Sequence, residues 1–374
     1  MTALTFVFLV VGLVALVFGA ESLVRGAARL AARTGMSNVV IGLTVVAFGT
    51  SAPELAVSVG DVLRGGEGAG SLAIGNVVGS NIANILLALG LAAALGGALV
   101  VASRIIRIDV PVMIGVSIVV WVMVLDERLG RIEGIVLTIG LVLYVTWTVV
   151  VARRDASAAP TVDFDEDVVD PAVLRRHSAW NDLAYVAAGL ALLVVGAQAL
   201  VGSATDIASQ LGVSDLVIGL TVVAVGTSLP EVATSVIAAM RGQRDLAVGN
   251  AVGSNLFNLL AVLGLAATVS PNPLPVAPSA VQVDIPVMIV VAIACLPIFA
   301  NGHVLERWEG IVFLAYYVAY IGWLVLDAGE HGARDSYGAV MVFFAVPLTA
   351  ITMAVVGVRA HRQRVAEEAL SSWR

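Results

Sequence analysis

The sequence predicts an all-α polytopic membrane protein, with two inverted-topology five-helix repeats forming a ten-helix core, plus one C-terminal extra span. Three observations predict it. Of 374 residues, 59% are hydrophobic and only 13% are charged, with a mean hydropathy of +1.00. A soluble domain is about a quarter charged, so this chain cannot coat a water-facing surface, and disorder is excluded for the same reason. Apolar runs of about 20 residues, the length that crosses a bilayer as a helix, recur along the chain. The third observation is that the first half of the sequence returns in the second.

The apolar runs fall at 3–24, 38–62, 72–97, 108–126 and 132–152, and then at 183–205, 214–239, 246–269, 281–301, 308–327 and 337–358. The first has no basic stretch ahead of it and reads as a span rather than a cleaved signal. Orientation follows from the basic residues, all twenty of which are arginines. With the N-terminus outside and the C-terminus cytoplasmic, only Arg64, Arg128, Arg131 and Arg334 fall on outer connections, and the other sixteen lie inside. Positive charge is enriched on the cytoplasmic side of plasma-membrane proteins, and losing one span would invert part of this pattern. Between the fifth and sixth runs lies the polar stretch 153–182. It carries Asp155, Asp163, Asp165, Glu166, Asp167, Asp170 and Asp182 without the glycine turn and final glutamate of an EF-hand, and reads as a solvated cytoplasmic linker. The expected organisation is therefore a first repeat at 1–152, the linker 153–182, a second repeat at 183–327, and an extra span with a basic tail at 328–374.

The duplication is explicit. Residues 42–59 (GLTVVAFGTSAPELAVSV) match 219–236 (GLTVVAVGTSLPEVATSV) at 14 of 18 positions, and 75–93 match 249–267 at 13 of 19. Weaker echoes join 106–114 to 281–289 and Glu133 to Glu309. Each repeat holds five runs, an odd number, so the second must enter the membrane from the opposite side. Transporters that work by alternating access are often built this way, with ion sites near the midplane on interrupted helices.

The chemistry lies in the two duplicated segments. Glu54 and Glu231 occupy equivalent mid-span positions with no arginine at their depth. An acid placed there is costly and marks an ion path. Pro53 and Pro230 cannot donate to the carbonyls of Gly49 and Gly226, and backbone oxygens freed in hydrocarbon must face protein, water or an ion. Thr50, Ser51, Thr227 and Ser228 add hydroxyls in the same turn. The GNxVGSNxxN segments contribute Asn76, Ser80, Asn81 and Asn84, and Asn250, Ser254, Asn255 and Asn258. In a helix, Asn76, Ser80 and Asn84 form one polar stripe. Kinking, back-bonding and small-residue packing would each explain one such feature; the whole set recurring at matched places points to a site. Its ligands are all oxygen, which suits calcium and sodium, and two carboxylates balance one divalent ion, two sodium ions or two protons. No cofactor and no nucleic-acid partner is expected.

The paired GTSxPE and GNxxGSNxxN segments resemble the α-repeats of the sodium/calcium exchanger branch of the cation/calcium antiporters, of the prokaryotic type, over about residues 1–327. What the resemblance implies is a ten-helix exchanger core that moves calcium against sodium. Carried over residue by residue, Glu54 and Glu231 are the main calcium carboxylates. Thr50 and Thr227 supply carbonyl and hydroxyl oxygens, Ser51, Ser228, Ser80 and Ser254 help form sodium sites, and Ala47 and Ala224 lend backbone carbonyls. Asn84 and Asn258 occupy the two central positions where this branch commonly has one aspartate. Both are neutral here, which makes a calcium/proton antiporter the alternative reading and a cation channel a distant one.

Other residues receive plainer readings. Asp109 and Asp284 are expected at helix starts or interfaces, and Glu21 is expected to pair with Arg25 one turn on. His177, His303, His331 and His361 fall outside the runs, and the single Cys295 forms no intrachain disulfide. An intramembrane enzyme would have no catalytic base, and the chain is read as no enzyme.

Overall fold

The computed structural model describes residues 3–64, 70–158, 178–211 and 224–328. Their helices are α1 (Ala3–Thr34), α2 (Asn38–Thr50), α3 (Ala52–Arg64), α4 (Leu72–Gly96), α5 (Ile105–Met123), α6 (Arg131–Ala158), α7 (Ala179–Gln210), α8 (Ala224–Thr227), α9 (Leu229–Met240), α10 (Arg244–Val269), α11 (Ala280–Ala300) and α12 (Arg307–Ala328). Among the described residues, eight helices are long and apolar enough to cross a membrane, and nine if the bent pair α2–α3 counts as one span. The expected spans 1 to 6 and 8 to 10 each fall on one of these, and span 7 is described from Ala224 onward. The eleventh, 337–358, lies outside the described residues.

Helices α4 and α10 form the interior: 78% and 83% of their most apolar windows are buried, against 22–39% in the other spanning helices. Around them, apolar side chains such as Phe6, Val10, Phe18, Val142, Leu143, Val195 and Val318 are exposed, as lipid-facing positions must be. Helices α1 and α7 pack along a seam of glycines. A Cβ on Gly12 would stand 2.8 Å from Leu200 N, and one on Gly196 2.8 Å from Leu16 N. Between Gly19 and Gly189 the gap is as small, at 2.8 Å to Leu193 N and 2.6 Å to Leu23 N. Helices in lipid lack a hydrophobic drive to associate, so backbone contact of this kind is what holds them together.

Four two-residue strands tie the connections. β1 (Leu99–Val100) pairs antiparallel with β4 (Val304–Leu305), and β2 (Arg128–Leu129) with β3 (Leu274–Pro275). Each pair puts two connections on the same face of the molecule.

Three features depart from the expected linear pattern. Helix α7 begins at Ala179, with Ser178 as its N-cap, four residues inside the expected linker. Asp182 is accordingly not a solvated linker residue: it is fully buried, paired to Arg33 and lying 3.7 Å from Arg29 of α1. Second, the π-helical turns Asn84–Leu89, Asn258–Val262, Ile105–Asp109 and Ala280–Asp284 widen α4, α10, α5 and α11. Such bulges concentrate at functional sites, and a pattern read at 3.6 residues per turn does not reveal them. Third, Asp109 and Asp284 lie in those turns inside continuous helices rather than at helix starts. Asp109 is buried, 3.5 Å from Arg104 Nε, and accepts from Tyr144 OH (3.0 Å); Asp284 accepts from Tyr320 OH (3.1 Å). Glu21 pairs with Arg25 as expected, and also with Arg241 at the end of α9.

Candidate ion-binding site

The site forms where α2 breaks into α3 and α8 into α9, against the middle of α4 and α10. Ser51 (φ −81°, ψ 3°) and Ser228 (φ −86°, ψ 2°) leave helical geometry just ahead of Pro53 and Pro230, and the chain bends by 41° between α2 and α3. The break occurs where proline removes a donor and crowds the preceding turn. The helices then restart with Glu54 and Glu231 in their first turns. The amide ends of those helices face the membrane interior there, and the helix dipole favours negative charge at that end.

Every predicted side chain with a described environment is buried or half-buried. Glu54, Glu231, Ser228, Asn84, Asn258, Ser254 and Ala47 have no exposed surface, Thr50, Ser51 and Ser80 have almost none, and Thr227 is half-buried. Ala224 contributes its place at the start of α8.

The hydrogen bonds repeat across the two halves. Asn76 Nδ2 donates to Glu54 O (3.3 Å) and Ser58 Oγ (3.1 Å); Asn250 Nδ2 donates to Glu231 O (3.4 Å) and Ser235 Oγ (3.0 Å). Thr50 Oγ1 donates to Asn250 Oδ1 (3.2 Å), and Thr227 Oγ1 to Asn76 Oδ1 (3.3 Å). Asn81 Nδ2 reaches Asn255 O (3.4 Å) and Asn255 Nδ2 reaches Asn81 O (3.2 Å). At the centre, Asn84 Nδ2 donates to Asn255 Oδ1 and Asn258 Nδ2 to Asn81 Oδ1, each at 3.1 Å. Each carboxylate receives one hydroxyl, Ser80 Oγ on Glu54 Oε1 (3.4 Å) and Ser51 Oγ on Glu231 Oε1 (3.3 Å). The second bond crosses from one half to the other, so the two motifs build one site. Thr50 Oγ1 and Ser254 Oγ are also in contact at 3.3 Å.

This network consumes the amide donors and leaves acceptors over. Among the described residues, Glu54 Oε2, Glu231 Oε2, Asn84 Oδ1 and Asn258 Oδ1 are buried with no hydrogen-bond partner. A buried polar atom without a partner costs on the order of 1–3 kcal/mol, and an ionised one more. These four oxygens, matched in pairs between the two motifs, are acceptors left open to a cation. The set is oxygen only. No group of three or more His, Cys, Asp or Glu side chains is placed to hold a metal ion among the described residues, and Cys295 spends its thiol on the carbonyl of Val291 (3.7 Å). The donor chemistry therefore fits calcium or sodium rather than a soft metal.

Backbone oxygens divide. The Ala47 carbonyl already accepts from Ser51 N (3.0 Å) and Thr50 Oγ1 (3.4 Å), whereas Ser228 N donates to Val225 O (3.1 Å). Ser58 and Ser235 are residues that reading the motifs passed over. Both are fully buried and hold the asparagines that carry the glutamates' backbone. Their signal was present, since both lie one helical turn beyond the glutamates at matched positions of the duplication. Met113 and Met288 complete the shell, with sulfurs 3.5 Å from Asn255 Nδ2 and Asn81 Nδ2.

Comparison with known proteins shows the family. The profile of a family described as sodium/calcium exchanger protein matches residues 4–150 and 182–326. The chain is 32% identical over 353 residues to the sodium/calcium exchanger MaX1 of Methanosarcina acetivorans, covering 86% of this chain and 98% of that one. It is 38% identical over 287 residues to the inner membrane protein YrbG of Escherichia coli, covering 76% and 85%. A solved structure of the sodium-calcium exchanger NCX_Mj superposes with a TM-score of 0.71 at 31% identity, over 86% of this chain and 99% of that one.

Proposed function

The chain belongs to the sodium/calcium exchanger protein family, and from that premise we propose that it is a secondary antiporter exchanging calcium for sodium across the plasma membrane by alternating access. The observation that carries the reading is the matched pair Glu54 and Glu231, each buried without a basic partner among the described residues and each keeping one oxygen that no donor there satisfies. Two such carboxylates repel one another when both are charged and empty-handed. They are neutralised by one calcium ion, or by two monovalent ions that replace it, and this mutual exclusion is the logic of exchange. Thr50, Thr227, Ser51, Ser228, Ser80 and Ser254 complete the oxygen shell, with the amide oxygens of Asn84 and Asn258 and the carbonyls of Ala47 and Ala224. The reciprocal hydrogen bonds support two halves, 1–152 and 183–327, of opposite orientation. The arginine distribution supports an external N-terminus and a cytoplasmic C-terminus.

The counter-ion is tested by radiolabelled calcium uptake into vesicles with either a sodium gradient or a pH gradient imposed. Sodium-driven uptake is the expected result; uptake under the pH gradient with no response to sodium would replace it with calcium/proton exchange. That second reading has its own observation behind it. Asn84 and Asn258 are neutral, so three sodium ions would leave a net positive charge in a low-dielectric site. Two sodium ions or two protons would not.

Asn258→Asp supplies the missing charge, at the cost of the Asn258 Nδ2 bond to Asn81 Oδ1. We expect the variant to respond more steeply to sodium than the parent chain, measured as the slope of calcium uptake against sodium concentration. Asn84→Asp should act in the same direction through Asn255. An unchanged slope in both would remove the weight given to the neutral pair.

A further inference from the structure

A second site lies away from the carboxylates, on the face that carries β1 and β4. Three segments meet there: the end of α4 at Gly97, and the first residues of α10 and α12, Arg244 and Arg307. The β1–β4 register, Leu99 opposite Leu305, holds Arg307 against the Gly97 turn. Gly97 takes φ +90°, and both guanidinium groups lie over it. Arg307 Nη2 stands 3.6 Å, Arg307 Nε 3.8 Å and Arg244 Nη2 3.7 Å from the position a Cβ on Gly97 would take. By the triangle inequality the two Nη2 atoms are no more than 7.3 Å apart.

No acid neutralises either arginine among the described residues. The neighbouring acids in sequence are Asp245, Glu306 and Glu309. None makes an ion pair with Arg244 or Arg307, and Glu309 Oε2 turns back to accept from Glu306 N (2.8 Å). Each arginine also opens a helix, where the dipole is already positive and a cation is disfavoured. Nor does the duplication impose the arrangement. Arg131, the match of Arg307 on the opposite face, donates to the carbonyl of Ser270 (2.8 Å), and the match of Arg244 is Gly70. Among the described residues, two guanidinium groups without an ion pair and two helix N-termini converge here.

We propose that Arg244 and Arg307 form a binding site for an anionic phosphate group, supplied by the headgroup of an anionic lipid. Guanidinium forks match phosphate oxygens in a bidentate geometry, and basic pockets between spanning helices take up lipid headgroups. The flanking side chains fit a lipid source. Trp308, next to Arg307 in the chain, is 43% exposed, and Leu95 and Val100, on either side of Gly97 in the chain, are 59% and 48% exposed, so these segments carry the apolar and aromatic surface that lipid contact uses.

Native mass spectrometry of the purified full chain tests the site, with phosphatidylglycerol and phosphatidylcholine offered together and inorganic phosphate offered alone. The expected result is selective retention of phosphatidylglycerol, reduced about tenfold or more in the Arg244→Gln/Arg307→Gln double variant, as loss of charge-assisted hydrogen bonds requires. Arg131→Gln should leave retention unchanged. Arg307→Lys, which keeps the charge and loses the fork, should fall between; it and the two single glutamine variants carry the test should the double variant not fold. If phosphatidylglycerol is not selected but inorganic phosphate raises the melting temperature of the parent chain and not of the variants, the lipid source is overturned and the phosphate site stands. If neither probe distinguishes parent from variants, the site is overturned.

Discussion

Replacing Glu54 with glutamine is expected to reduce gradient-driven calcium flux by about a hundredfold or more, because removing one partner of a buried charge pairing costs on the order of 3 kcal/mol. Glutamine keeps the size and shape of the side chain and an oxygen for the Ser80 hydroxyl (3.4 Å in the parent chain). What it removes is the charge and one ligand oxygen. Glu231→Gln should act equally, with Ser51 in the place of Ser80. A second readout separates a lost site from a lost fold. In ion-free buffer both variants should melt at or above the parent temperature, since a buried carboxylate without a cation destabilises the protein that holds it. Calcium should then raise the melting temperature of the parent and leave both variants unmoved, because a ligand stabilises only the state that binds it. Full calcium flux in either variant would remove that glutamate from the site.

Gly189→Val is expected to separate α1 from α7 and lower stability by about 1–3 kcal/mol or more, the usual cost of forcing bulk into a packed interface. A Cβ at Gly189 would meet Leu23 N at 2.6 Å and Gly19 O at 2.7 Å. Both are backbone atoms of a facing helix, and they cannot turn aside as a side chain could. Polar ties between the same two helices include the Asp182 pairing to Arg33 and Arg29 and the Ser22 hydroxyl bond to Tyr185 O (2.8 Å), none of which brings the backbones into contact at Gly189. Gly202→Ala on the same helix is the control. That glycine is exposed with nothing within 4 Å of an added Cβ, and alanine is the better helix former. Thermal unfolding in detergent should drop for Gly189→Val and hold or rise for Gly202→Ala; equal melting of the two would show that the seam contributes no stability.

Much of this was legible in the residues because it depends on local spacing. Proline removes a helix donor and crowds the preceding turn wherever it falls, so the interruptions at Ser51 and Ser228, two residues ahead, could be placed from Pro53 and Pro230. Two glutamates at matched depths without arginines nearby stand out in a chain only 13% charged. The acidic stretch before the sixth span misled at its last member. Asp182 looked like one of seven solvated acids, and its partners Arg29 and Arg33 stand about 150 positions earlier, where no local pattern links them.

The sequence by itself determined the membrane class, the positions of spans 1 to 6 and 8 to 10 and the duplication, and it singled out Glu54 and Glu231, since all of these follow from composition and from period along the chain. The tertiary structure decided which oxygens stay free. Asn84 and Asn258 read as neutral residues at the two central positions of the site, but only contacts across 171 and 177 positions spend their amide hydrogens and leave their oxygens without partners among the described residues. It also decided that Arg307 has no ion pair among the described residues while its match, Arg131, donates to a carbonyl. The physical reason is the same in both cases. A side chain's chemistry is set by what competes for its donors and acceptors, and those competitors come from segments that meet only when the chain has folded.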